Sequence, residues 1–159
     1  MIFRYVVLVE CENDVYVAKN LVRTLNTYSN SNLSFKIRHV GGKSEVLRYL
    51  FEKSLNSIGI VDHDPGAPWP KKYKYVADKM QDLNNNLYYY MDPGKHLFII
   101  IFSPKLEEWL LRTCNIREVQ QEDLHRRNKL FVKIFDKCSN RIHQVFHNLF
   151  DLIIEVIEI

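Results

Sequence analysis

The sequence predicts an α/β fold, a mostly parallel sheet with helices on both faces, and three observations carry that expectation. Strand-length stretches at residues 5–9, 35–40 and 57–61, the first and third of them apolar runs, are separated by segments that space their apolar residues as helices do. The resulting order of strand, helix, strand, helix, strand demands crossover connections, which parallel neighbours require. Finally, carboxylates follow the first and third runs where strands should end: Glu10 with Asp14, and Asp62 with Asp64. Right-handed crossovers would bring both pairs to one edge of the sheet.

Each element has its own signal. Tyr5, Val6, Val7, Leu8 and Val9 form an uninterrupted apolar strand, and Asn13 is expected to cap a helix over residues 14–28 through Val17, Leu21, Val22 and Leu25. The Ser and Asn residues at 28–32 read as a loop. A second strand at 35–40 leads through the Gly41-Gly42 turn into a helix over 44–55, with Val46, Leu47, Leu50 and Phe51 on its apolar face. The third strand, 57–61, ends in Asp62-His63-Asp64, and the following Pro65-Gly66-Ala67-Pro68-Trp69-Pro70 forbids regular structure. A helix over 73–83 is expected next, then two strands, 87–90 and 97–102, about an Asp92-Pro93-Gly94 turn. Ser103 followed by Pro104 reads as the cap and first position of a helix running to Arg112. Residues 115–128 are polar enough for a linker, and a last helix begins near Asn140.

At 159 residues and 47% hydrophobic content the chain suits one domain with one substantial core. A net charge of +3 argues solubility and identifies no partner, although gathering the acids at one site leaves the remaining surface more basic. Cys11, Cys114 and Cys138 lack CxxC spacing, so neither a disulfide framework nor a zinc ribbon is expected, and a reduced compartment fits best. Arg4 is the sole charge ahead of the first strand and no cleavage signature follows, while the apolar runs are too short to cross a bilayer. A cytoplasmic protein without a membrane partner is the expectation. Residues 146–159 are apolar but interrupted by Asp151, Glu155 and Glu158, as in an amphipathic helix.

Glu10 at a strand end and Asp14 in the next helix's first turn can face one point at the sheet edge. Asp14 equally suits helix N-terminal electrostatics, and Glu10 a solvated strand end. In an extended Asp62-His63-Asp64 the two carboxylates point the same way and His63 the other. Paired hard oxygen donors suit Mg²⁺ or Mn²⁺ rather than zinc. Five clustered carboxylates without a cation would repel one another.

The ordered set, Glu10-Cys11-Glu12-Asn13-Asp14 after a strand, Gly41-Gly42 after a second, and Asp62-His63-Asp64 after a third, resembles the Toprim domain of topoisomerases, bacterial-type primases, RecR-type recombination proteins and OLD-family nucleases. Cys11 stands where many members have glycine. Ser103-Pro104-Lys105-Leu106-Glu107-Glu108-Trp109 resembles the strand-to-helix step that supplies a further acid in OLD-like members, with Glu107 aligned there and Glu108 the alternative. The resemblance covers roughly residues 3–112. It implies a Toprim-like, Rossmann-like catalytic domain over 1–114, with 115–159 a helical extension docked on it. It further implies metal-dependent phosphoryl transfer on nucleic acid: Glu10, Asp62 and Asp64 holding one Mg²⁺ or Mn²⁺, Asp14 and Glu107 completing or orienting a second site, and Glu10 available for acid/base work.

A topoisomerase needs a tyrosine nucleophile and DNA-enclosing domains, and a primase needs template-binding apparatus; the chain is short for either. A small nuclease is the economical reading. Its rivals are a noncatalytic nucleic-acid-binding or assembly protein on the same fold, and a receiver-like domain, for which the lysine arrangement is unconvincing. Lys43, after Gly41-Gly42, is placed to meet a phosphate at a helix N-terminus, although the spacing is not that of a Walker motif. Lys71, Lys72 and Lys74, and farther on Arg126, Arg127, Lys129 and Lys133, form basic patches able to position a phosphate backbone or simply face solvent. Trp69 and Trp109 read foremost as packing residues, and His39 and His63 stay ambiguous between phosphate contact and surface. The C-terminal helix and the aromatic 87–90 segment could serve a homodimer, an accessory protein or the chain's own core.

Overall fold

The computed structural model describes residues 4–29, 33–53 and 56–157. The first five elements are β1 (Arg4–Val9), α1 (Glu12–Ser29), β2 (Ser34–His39), α2 (Lys43–Glu52) and β3 (Ser57–Asp62). After a proline-bounded loop and a 3₁₀ turn come α3 (Lys74–Lys79), β4 (Gln81–Asp82), β5 (Leu87–Asp92) and β6 (Leu97–Phe102). The chain then turns helical, with α4 (Leu106–Thr113), α5 (Gln121–Arg126), α6 (Asn128–Lys137) and α7 (Ser139–Ile157). The expected α/β class is therefore observed.

The six strands lie in the order β2-β1-β3-β6-β5-β4. Pairings β1 with β2, β1 with β3, and β3 with β6 are parallel, whereas β5 and β4 complete the sheet antiparallel. Alternation along the strands sorts side chains onto two faces. Tyr5, Val7 and Val9 of β1 and Phe98, Ile100 and Phe102 of β6 join one cluster with residues of α1, α4, α5, α6 and α7. Leu8, Leu97, Ile99 and Ile101 face the other way, onto Val46, Leu47 and Leu50 of α2 and Val76 of α3. Burial on both faces is why β6 reads Leu-Phe-Ile-Ile-Ile-Phe without a polar residue. On the α2 face, an added Cβ at Gly59 would stand 2.5 Å from Leu50 Cδ1. The absence of a side chain there lets α2 pack directly on β3.

Five local expectations change. Asn13 lies within α1 and is buried, because its Nδ2 donates to the Leu124 carbonyl at 3.1 Å and its Oδ1 accepts from Asn128 Nδ2 at 2.9 Å. The helix expected over 73–83 stops at Lys79: Met80 is extended, and Gln81 and Asp82 pair with Tyr89 and Tyr88. Pro104 precedes α4, and Lys105 is its capping position, the Ser103–Pro104 peptide being cis. The supposed linker contains α5, anchored by the buried Leu124. The expected loop at 28–32 is helical through Ser29, and residues 30–32 lie outside the described residues, as do 54–55 of the helix expected to end at 55 and Glu158 of the C-terminal stretch.

Cys114 and Cys138 form a disulfide, with Cα atoms 5.7 Å apart, while Cys11 is free. Sequence spacing concealed this pair because α4 and the α6–α7 junction meet only through tertiary packing. Among the described residues, no helix is long and apolar enough to cross a membrane.

Candidate functional site

Strand β1 has β2 on one side and β3 on the other, so the chain's winding reverses there and a crevice opens beyond the strands' carboxyl ends. Val9 pairs in register with Ile60, which sets Glu10 and Asp62, the next polar residues on these strands, at that crevice. A cavity of about 420 Å³ occupies it. Glu10, Asp62, Asp64, Glu107 and Glu122 line it with carboxylates, and Lys43, Lys105 and Arg126 with cations.

Each carboxylate is held differently. Asp62 Oδ1 accepts the Leu106 N–H at 2.9 Å, which uses the first turn of α4 to orient it. Asp64 has φ of +47°, and its N–H donates to the Pro104 carbonyl at 2.7 Å, fixing the turn that presents its side chain. Glu107, in that first turn of α4, has a side chain only 5% exposed. Its Oε1 lies 3.0 Å from His125 Nδ1, and its Oε2 is buried without a hydrogen-bond partner. Asp14 does not line the cavity. It lies behind it, fully buried, with Oδ2 accepting the N–H groups of Glu10 (3.1 Å) and Cys11 (3.2 Å), so it shapes the turn that carries Glu10. Glu108 is turned away toward Arg112, 3.8 Å distant.

Crowding these acids in a poorly solvated crevice disfavours their charged forms. Burial, reinforced by the charges of Asp62 and Asp14, pushes Glu10 up to about 9. Asp14 rises to about 8 through burial and then Asp62 and Glu107, against the pull of the two N–H groups it accepts. Asp62 rises to about 7 through burial and the Glu107 charge, offset in part by the Leu106 N–H. The half-buried Cys11 thiol is pushed upward by burial and by Asp14, which favours its protonated form.

Lys43 follows the N-cap Gly42 of α2, after Gly41 at φ +103°, where a side chain would be strained. Its Nζ donates to the His63 carbonyl at 3.0 Å and lies 4.3 Å over the centre of the Trp69 ring. Trp69 Nε1 donates to the same carbonyl at 2.9 Å, so the proline-bounded loop clamps the lysine beside the acids. Burial lowers the Lys43 pKa, while Glu10, Asp64 and Asp62 oppose that shift. His63 points to Ser103 Oγ at 3.0 Å, and His39 Nε2 to the Glu10 carbonyl at 2.7 Å. Trp109 is core, stacked on Phe146.

Of the other expected cations, Arg126 lines the cavity. Lys71, Lys72 and Lys74 are exposed outside its lining, and Lys72 is paired with Glu52 at 2.8 Å. Arg127, Lys129 and Lys133 also face solvent. Sequence reasoning missed Lys105, Gln121, Glu122 and His125, all lining residues. Lys105 lies within the Ser103–Trp109 motif, and only the neighbouring Arg126 hinted at the other three, since a six-residue polar helix leaves no periodic signal.

Among the described residues, no three His, Cys, Asp or Glu side chains already converge on one point as a finished metal site. The carboxylates stand around the cavity. Their chemistry nonetheless fits a hard divalent cation: the donors are oxygens, one buried oxygen of Glu107 has no partner, and the acids repel without a counterion. No protein-family model, curated protein or solved structure matches the chain.

Proposed function

We propose that the protein is a small Toprim-type nuclease that hydrolyses phosphodiesters of nucleic acid with Mg²⁺ or Mn²⁺. The observation that carries this reading is one cavity at the sheet's switch point lined by five carboxylates, among them Glu107 with its orphaned oxygen, and by three cations. Glu10, Asp62, Asp64 and Glu107 would hold the cation, and Asp14 sets the backbone that aims Glu10. Bound there, the cation supplies Lewis-acid neutralisation of phosphate charge and activation of water. Lys43, Lys105 and Arg126 offer donors to the substrate's phosphate oxygens. Glu10, protonated near neutrality when no cation is near, is the group able to give or take a proton beside the phosphate.

The test is cleavage of labelled single- and double-stranded DNA and RNA with Mg²⁺ or Mn²⁺, comparing the native protein with Asp62→Asn and Glu10→Gln after circular dichroism shows both folded. Cation-dependent cleavage that disappears in both variants supports the nuclease. Tight nucleic-acid binding without cleavage under every condition would replace it with a noncatalytic binding protein.

A further inference from the structure

Three neighbouring cavities share lining residues along α4. Gln121 and Glu122 line both the acidic cavity and a shallower pocket beside Glu108 and Arg112. Arg112 in turn lines a separate cavity of about 330 Å³ at the far end of the helix. From Lys105 to Thr113 the helix advances ~12 Å at its usual rise.

The far cavity has the opposite electrostatic character. Arg112, Arg141, Asn84, Asn85, Gln144 and Asn148 line it, and no carboxylate is among its described lining residues. Arg141 Nη1 donates to the Thr113 carbonyl at 3.1 Å, which anchors the guanidinium at the end of α4 and leaves its other N–H groups toward the cavity. Arg112 is held only by the 3.8 Å approach to Glu108, with its side chain 59% exposed, a weak pair that an incoming phosphate can outcompete. No hydrogen bond among the described residues engages the side-chain amides of Asn85, Gln144 or Asn148. Asn84, Asn85 and Asn86 all have positive φ, and the Asn86 carbonyl accepts the Ser103 N–H at 3.0 Å, so this turn lies at the same sheet edge as the acids.

We propose that the far cavity is a phosphate-backbone subsite for a single-stranded nucleic-acid segment whose reacting phosphate lies in the acidic cavity. This rests on the nuclease reading and narrows it. A small phosphorylated metabolite would be held within the first cavity, whereas a strand carries a charge at every nucleotide and spans the length of α4. The two guanidiniums take its backbone, and the carboxamides take sugar or base edges without demanding a sequence.

The experiment uses the Asp62→Asn protein, so that cleavage does not intervene, and measures by anisotropy the binding of a labelled dinucleotide and of a strand about ten nucleotides long. It is repeated with Arg112→Ala/Arg141→Ala and with Gln144→Glu/Asn148→Asp. The second pair adds repulsion at exposed positions and removes no hydrogen bond seen in the fold. Both pairs should weaken binding of the longer strand about tenfold or more and leave the dinucleotide unchanged. The arginine pair should also reduce the salt dependence by roughly one to two counterions. Unchanged affinity and salt dependence for the longer strand in both pairs, or equal losses at both lengths, would overturn the subsite while the nuclease reading stands. Failure of the Asp62→Asn protein to bind either length at any salt would remove nucleic acid as substrate and the subsite with it.

Discussion

His125 and Glu107 meet from two separate helices, and among the described residues their contact is the one side-chain hydrogen bond made by a nearly inaccessible carboxylate. Under the nuclease reading, His125→Ala should lower divalent-cation affinity about tenfold by calorimetry, as loss of a ligand-orienting partner does, with partial recovery in His125→Gln. Without cation, the raised carboxyls make a second prediction. Glu10, Asp14 and Asp62 keep protons in the folded protein, at about 9, 8 and 7, that the unfolded chain releases near their ordinary values of 4.5, 3.8 and 3.8. Their contribution to stability is therefore complete below about pH 4 and is lost as pH rises through the folded values. Denaturant midpoints of the metal-free protein should fall between pH 5 and 9, less steeply in Asp62→Asn and less steeply when Mg²⁺ is present. Glu10 and Asp62 were legible in the sequence because strand ends dictate where such residues sit, whereas Glu107 entered only through the Toprim resemblance, and Asp64, expected to follow strand alternation, is presented instead by a turn at φ +47° beyond the end of β3. Asp14 was legible as part of the cluster, but its inward hydrogen bonds to the turn were not.

At the level of elements, close packing and buried polar bonds decide what local preference leaves open. Gly59→Ala should destabilise by about 1–3 kcal/mol, measured by denaturant unfolding, since Leu50 and Val46 already fill the space beside it. Asn13→Ala should cost about 1–3 kcal/mol by removing the acceptor of Asn128 and leaving the Leu124 carbonyl without its donor. The same change should speed amide hydrogen exchange in α5. These bonds also explain why Asn13 misled as a cap: the residue type suits a helix entrance, but partners more than a hundred residues away draw it into the helix. Residues 80–83 misled for a related reason, since the sheet edge formed by Tyr88 and Tyr89 captures Gln81 and Asp82 as a short strand. Strands buried on both faces were readable because their apolar runs are continuous; short amphipathic or polar elements such as α5 were not.

Across the whole molecule, the winding that puts β1 between β2 and β3 creates the crevice, and α4 and α5 contribute to its wall. Phe146, Leu149, Phe150 and Ile153 of α7 are buried within the chain's own core, one of the roles the sequence left open for that helix. The disulfide was unreadable, because cysteine spacing says nothing about where α4 docks against the α6–α7 junction. Replacing Cys114 and Cys138 by serine should lower stability by about 3 kcal/mol, seen as an earlier denaturant midpoint, from the release of a loop with a sequence separation of 24. That covalent ring encloses α5 and α6, and therefore His125, Gln121 and Arg126. A protease that nicks the backbone once anywhere inside it produces two polypeptides that migrate together until a reductant is added, so the wall over the acidic cavity survives a cut that would sever it in an unbridged chain.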